Sequence, residues 1–177
     1  MRVFIAGIMQ GSRQDNDLDS QSYRPRIIQT LAAHLPEIEI TDPWSLHPDS
    51  VAYDDDQARE TFLSMTHLAG EADLVIAYLP QASMGTAIEM WTAYHAGKPV
   101  IAVTPLSHNW VVKLCASHIL PDLDSLLAYI ESGSLSQWVD GHPPQRLELA
   151  LSLIGPSSSK DRAPDFNVGA STGKPVE

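Results

Sequence analysis

The stretch Ala72–Val103, ADLVIAYLPQASMGTAIEMWTAYHAGKPVIAV, decides the fold. Leu74 to Leu79 is a short apolar run rich in β-branched and aromatic side chains, as suits a strand buried on both faces. A loop follows at Pro80–Ser83. From about Gly85 the chain reads as a helix, and Gly97 stops it. Lys98-Pro99 then turns the chain into the next apolar run, Val100 to Val103. A strand, a crossover helix and a second strand in this order require the two strands to be parallel. Glu89 falls near the start of the helix, just beyond the carboxyl end of the preceding strand, where open parallel sheets bind ligands.

The same alternation extends outward from this unit. Arg2 to Ala6 is a short buried strand that breaks at Gly7 into the loop GIMQGSRQD, residues 7–15. Ile27, Ile28, Leu31 and Leu35 recur at the helical period, and Ile38 to Ile40 forms a second strand. Asp42-Pro43 ends that strand, and a loop rich in Pro, Asp and Ser runs to about Asp54. A helix through Gly70 opens with Asp54-Asp55-Asp56, acidic residues that suit its positive end. Beyond the central unit, Asn109 to Ser117 reads as a short helix, Ile119-Leu120 as a last strand, and Leu123 to Ile130 and Pro143 to Ile154 as helices. Strands alternating with helices predict a doubly wound, flavodoxin-like or Rossmann-like three-layer α/β sandwich with five parallel strands ordered 2-1-3-4-5. From Gly155 the sequence turns rich in Ser, Pro and Gly with little to bury. The expected division is a folded domain over 1–155 and a disordered C-terminal tail over 156–177.

Charge and composition narrow the partners. Eleven basic side chains against 22 acidic ones give a formal net charge of −11, which argues against a nucleic-acid polymer or an anionic membrane as partner. A small phosphate ester needs only a local nest of amides or one basic side chain, so it stays open. The single cysteine, Cys115, rules out an internal disulfide and fits a reducing compartment. No apolar run reaches the roughly 18 residues of a membrane span, and Met1 leads directly into a strand, so a cytoplasmic location is expected. Several nucleotide and hydrolase signatures are missing. Gly7 and Gly11 lack the GxGxxG spacing, and neither a P-loop nor a Gly-x-Ser-x-Gly elbow occurs. The seven histidines show no metal-ligand spacing.

Two loops carry a family resemblance. Ser83-Met-Gly-Thr-Ala-Ile-Glu89, followed by Ala93 and Gly97-Lys98-Pro99, resembles the signature of the nucleoside 2-deoxyribosyltransferase superfamily, in which a Gly–x–x–x–Glu segment after the third strand delivers a nucleophilic glutamate. The loop over residues 7–15 is similar to that of the 2′-deoxynucleoside 5′-phosphate N-hydrolase branch. The resemblance in element order spans roughly residues 2 to 130, but the specific residues lie in these two loops. It implies cleavage of an N-glycosidic bond, or transfer of a base, on (deoxy)nucleosides or their 5′-monophosphates. It implies no cofactor, and a homodimer or higher homo-oligomer with shared pockets.

The chemistry gives those residues a reason. N-glycosidic cleavage passes through an oxocarbenium-like sugar that a carboxylate can trap covalently. Glu89 has the group, a helix N-terminus favours its ionised form, and Gly85 lets backbone approach the sugar. A competing reading makes Thr86-Ala-Ile-Glu89 a capping box, with the glutamate merely satisfying a backbone N–H. Gly7, Ile8, Gln10, Gly11, Ser12 and Arg13 form the candidate substrate loop, whose alternative is ordinary solvated surface. Ser83 matches a phosphate-binding serine of the N-hydrolase branch or serves as N-cap. Asn109 and Lys113 lie where family members lend a residue to a neighbouring subunit's pocket. Trp91 and Tyr94 read as core or interface residues.

The chain also departs from the family. Met65 stands where members place a proton-transferring aspartate, and methionine cannot move a proton; His67 and Ser64 are its polar neighbours in sequence. Phe4 replaces a first-strand tyrosine, and Ile8 a phosphate-contacting serine. Three function classes follow: a glycosyl-transferring or glycosyl-hydrolysing enzyme, a catalytically impaired nucleotide-binding module on the same fold, and an oligomeric scaffold without a ligand.

Overall fold

Strands β1 (Arg2–Gly7), β2 (Glu39–Thr41), β3 (Leu74–Tyr78), β4 (Val100–Val103) and β5 (His118–Leu120) form one sheet in the order 2-1-3-4-5. Every pairing is parallel. The computed structural model describes residues 1–9, 18–35 and 37–141. Within them the helices are α1 (Tyr23–His34), α2 (Pro43–Leu46), α3 (Asp55–Glu71), α4 (Met84–His95), α5 (Trp110–Cys115), α6 (Leu123–Glu131) and α7 (Ser134–Gly141). The chain divides into two units, Met1–Leu147 and Glu148–Glu177, and all the described residues belong to the first. The helix expected over 143–154 and the tail expected over 156–177 lie outside the described residues.

Strand periodicity sorts the core into two layers. Val3 and Ile5 of β1, Leu74 and Ile76 of β3, and Ile101 and Val103 of β4 pack with Ile27 and Leu31 of α1, Leu126 and Ile130 of α6, and Leu135 of α7. Phe4, Ala6, Val75, Ala77, Val100 and Ala102 pack with α3, α4 and α5. Each buried aliphatic chain contributes about 1.5–3 kcal/mol. The second layer is the shallower. Ala6, Ala77 and Ala102 stand side by side across three strands, and Ala69 of α3 and Ala93 of α4 pack in the same cluster. Small side chains at this level let α3 and α4 lie close to the sheet.

Local signals set the helix ends. Asp54 caps α3 through the backbone N–H groups of Asp56 and Gln57, and Gln57 returns a bond to the Asp54 backbone, a reciprocal box. Ser83 is the N-cap of α4, its Oγ accepting from the Thr86 backbone N–H. At the far end Gly97 adopts φ 70°. Its N–H donates to the Tyr94 carbonyl and that of Lys98 to the Ala93 carbonyl, the Schellman closure that favours glycine.

Two segments differ from expectation. The loop expected between Pro43 and Asp54 contains α2 and a 3₁₀ turn over Ser50–Ala52. Asp42 caps α2 and Pro43 occupies its first turn, where a missing N–H costs nothing. The short helix α7 also follows α6 directly, where none was expected. No helix among the described residues is long and apolar enough to cross a membrane.

Candidate active site

The strand order reverses between β1 and β3, so the crevice at their carboxyl ends is where this fold offers a site. Gly7 ends β1 opposite Tyr78 of β3. A cavity of about 460 Å³ opens there. It is lined by Gly7, Met9 and Leu18 from the β1 side, Pro43, His47, Ser50, Val51 and Tyr53 from the segment after β2, Ala58, Thr61, Phe62 and Met65 from α3, and Ser83, Met84, Gly85, Thr86 and Glu89 from the start of α4.

Glu89 is the one carboxylate among the described lining residues. With Ser83 capping α4, it stands in the second turn rather than at the helix start. The capping-box reading therefore fails: Ser83 and Thr86 make the cap, Thr86 Oγ1 donating to Ser83 Oγ at 3.0 Å. No described residue donates a hydrogen bond to the Glu89 carboxyl. Enclosure by protein pushes its pKa up to about 8 from 4.5, opposed by the positive charge of Arg24. The expectation that the helix dipole would favour the ionised form is reversed, because desolvation outweighs a partial charge one turn away.

Arg24 is a residue that sequence reasoning missed. It is 1% exposed and pairs with Asp42. It also donates to the carbonyls of Ile5 at 3.0 Å and Gly7 at 3.3 Å, and its Nε to Gln21 Oε1 at 2.7 Å. Asp42 accepts in addition from Ser45 Oγ at 2.6 Å and from the Trp44 backbone N–H at 3.3 Å. Tyr23 donates to the Ile8 carbonyl at 3.3 Å and stacks on Tyr78 with centroids 4.2 Å apart. Burial raises the pKa of Tyr23, with Arg24 opposing and the negative charges of Asp42 and Glu89 adding. Gly7 is tightly hemmed: a Cβ there would fall 2.1 Å from the Tyr23 hydroxyl.

Of the sequence candidates, Glu89, Gly7, Ser83 and Gly85 come together around this cavity with Met65. Gly85 faces open space, with nothing within 4 Å of a built Cβ. Ile8 is buried and lines a separate cavity with Tyr23, Tyr78 and Leu123. Asn109 caps α5 through the Val111 and Val112 backbone N–H groups. It lines a third cavity, of about 450 Å³, which shares Ser83 and Met84 with the first. Lys113 is exposed on α5. Gln10, Gly11, Ser12 and Arg13 lie outside the described residues. His67 points to solvent, its Nε2 3.6 Å from Glu71, and is not in the cavity. Cys115 is buried. Among the described residues no group of three or more His, Cys, Asp or Glu is placed to hold a metal.

The fold is similar to that of the 2-deoxyribosyltransferase of Bacillus psychrosaccharolyticus, at 15% identity and TM-score 0.54 over 73% of this chain and 92% of that one. A conserved protein from Enterococcus faecalis is similar at 20% identity and TM-score 0.53, over 74% and 97%. A CMP N-glycosidase from Clostridium botulinum superposes more loosely, at 22% identity and TM-score 0.45 over 75% and 99%. No curated protein sequence matches the chain. Residues 3–137 match the profile described as nucleoside 2-deoxyribosyltransferase. Since that match runs from the first strand into the last described helix, the chain belongs to the nucleoside 2-deoxyribosyltransferase family.

Proposed function

We propose that this protein cleaves or exchanges the N-glycosidic bond of (deoxy)nucleosides or their 5′-monophosphates, with Glu89 as the nucleophile. The observation that carries the reading is the position of Glu89. It is a half-buried carboxyl with no hydrogen-bond donor among the described residues, at the strand-switch crevice of a family member. In the first half-reaction an ionised Glu89 oxygen bonds to C1′ as the base departs. In the second, water or another base takes the sugar. A carboxylate poorly solvated in its resting state is a better nucleophile toward a cationic sugar than one held by hydrogen bonds. Gly7, Ser83 and Gly85 are the substrate contacts of this reading around the same cavity, with Gln10, Gly11, Ser12 and Arg13 from the first loop.

The experiment is Glu89→Gln with base release followed by chromatography. Size and polarity are kept while the anion is lost. Base release is expected to fall by several orders of magnitude while substrate still raises the melting temperature. Retained turnover in Glu89→Gln removes Glu89 from the mechanism. Met65 at the cavity favours one second reading, a nucleotide-binding module with impaired catalysis. Wild-type protein that is stabilised by nucleotides yet releases no base from any of them supports that reading instead.

The protein works, on this reading, as a homo-oligomer in the cytoplasm. Met84, Ile88 and Trp91 make an exposed apolar stripe on α4, beside Trp110, Val111 and Leu114 on α5. The fold leaves this apolar surface uncovered. Asn109 and Lys113 lie on the same side and are the residues by which a second copy reaches the pocket. Sedimentation showing only monomer at tens of micromolar contradicts the assembly and the role of Lys113.

A further inference from the structure

Breaking an N-glycosidic bond leaves an electron pair on a ring nitrogen of the base, and a departing base needs a proton to become a good leaving group. Glu89, as the attacking anion, has none to give in that step. Met65, which lines the same cavity, has none either. Among the described lining residues the remaining titratable side chains are His47 and Tyr53, and they form a pair. His47 Nδ1 lies 3.1 Å from the Tyr53 hydroxyl. Their rings meet edge to face, with centroids 5.9 Å apart at 89°.

The backbone holds this pair in place. The His47 N–H donates to the Pro43 carbonyl at 2.9 Å, the Ser50 N–H to the His47 carbonyl at 3.2 Å, and the Tyr53 N–H to the Ser50 carbonyl at 3.3 Å. These successive turns hang from α2, whose N-cap Asp42 is fixed by Arg24. With Nδ1 committed to Tyr53, the other ring nitrogen of His47 is left for a second partner. Both side chains are half-buried in the cavity wall, screened from bulk water yet open to whatever enters.

We propose that His47, oriented by Tyr53, is the catalytic acid–base residue that protonates the leaving base. The proposal rests on the Glu89 reading above. As a Glu89 oxygen bonds to C1′, the C1′–N bond breaks and its electron pair passes to the base nitrogen. The His47 imidazolium gives that nitrogen its proton, leaving a neutral imidazole, a neutral base and a glycosyl ester on Glu89. Water then attacks C1′, the C1′–O bond of the ester breaks, and its electron pair returns to Glu89. The proton shed by the water goes to His47, which restores the starting charges.

The test compares two leaving groups with the full-length protein. One substrate is the nucleoside or monophosphate that the wild type turns over fastest. The other is 4-nitrophenyl 2-deoxyriboside, whose phenolate departs without a proton. His47→Ala and His47→Gln are expected to slow first-turnover release of the natural base by roughly 100- to 10,000-fold, with the first-turnover burst of nitrophenolate within a few-fold of wild type. Tyr53→Phe, which alters the orientation of His47, is expected to show the same selectivity with a smaller loss. Glutamine keeps a polar partner for Tyr53, so it stands in if the alanine variant fails to fold. Equal losses in the first turnover of both substrates overturn the proposal, because they mean His47 only shapes the cavity. Unchanged release of the natural base overturns it as well. In both cases the Glu89 reading stands if Glu89→Gln is inactive on the nitrophenyl substrate. A wild type inert on both substrates defeats the Glu89 reading and this one with it.

Discussion

Asp42 and Glu89 are two carboxylates within the field of one buried arginine, and the protein treats them oppositely. Asp42 is 4% exposed and saturated: Arg24, Ser45 Oγ and the Trp44 N–H all donate to it. Glu89 is half-buried, feels Arg24 only through space, receives no hydrogen bond from a described residue, and has its pKa pushed up to about 8 by desolvation. On the proposed reading, the difference separates a carboxylate that holds structure from one left to react. Donors fix a carboxylate's charge and dull its nucleophilicity, whereas burial without donors leaves its charge costly and its oxygens uncommitted. Such a perturbed group in a cleft is what a functional site offers.

Removing the saturated partner breaks the comparison most severely. Asp42→Ala leaves the Arg24 guanidinium buried and unpaired, and is expected to cost about 3–5 kcal/mol in denaturant unfolding. A loss under 1 kcal/mol means that Arg24 finds water or another anion, and that Asp42 is not the anchor described.

Glu89→Gln is expected to act in the other direction. The Glu89 carboxyl binds its proton more tightly in the folded protein than in the unfolded chain. The stability it confers is thus full below about pH 4.5 and is lost as pH rises through about 8. Glutamine cannot ionise and escapes that loss. Unfolding free energies of wild type and variant should coincide near the acid end and diverge with pH, the variant becoming the more stable by on the order of a few kcal/mol above pH 8. Parallel curves mean that Glu89 is freely solvated.

The same ionisation sharpens the comparison kinetically. On the proposed reading, nitrophenolate release needs the Glu89 anion and no acid, so its kcat/KM in the wild type is expected to climb with pH through the neutral range and level off only above about pH 8. A profile already flat from about pH 5 upward contradicts the raised pKa. The smallest effect belongs to Ser83→Ala, which removes the α4 cap and is expected to cost about 1 kcal/mol or less, with Glu89 still in place.

The sequence was most legible where physics acts locally. Leu74–Tyr78 is apolar on both faces because both faces are covered, and Gly97-Lys98 ends α4 by a closure that the glycine announces. Glu89 stood out for the same reason, since its place after a buried strand fixes it at the crevice. The four residues of α2 are too few for a helical period, although Asp42-Pro43 carried the cap signal. Arg24 was hidden because nothing nearby distinguishes it from Arg26, whose side chain is 53% exposed; only the distant Asp42 marks it. His47 and Tyr53 looked like loop polarity, and His67 looked nearer to Met65. Folding turned His67 outward and brought His47 to the cavity, a consequence of tertiary packing that no local pattern records.

The most direct test of the central claim is covalent capture. Wild-type protein mixed with a 2-fluoro-2-deoxy nucleoside, whose electron-poor sugar slows release from the enzyme, should gain the mass of one sugar. Peptide mapping should place that sugar on the fragment carrying Glu89, and Glu89→Gln should show no adduct. Base release from the wild type with no adduct at any stage, or an adduct on a different residue, contradicts the account.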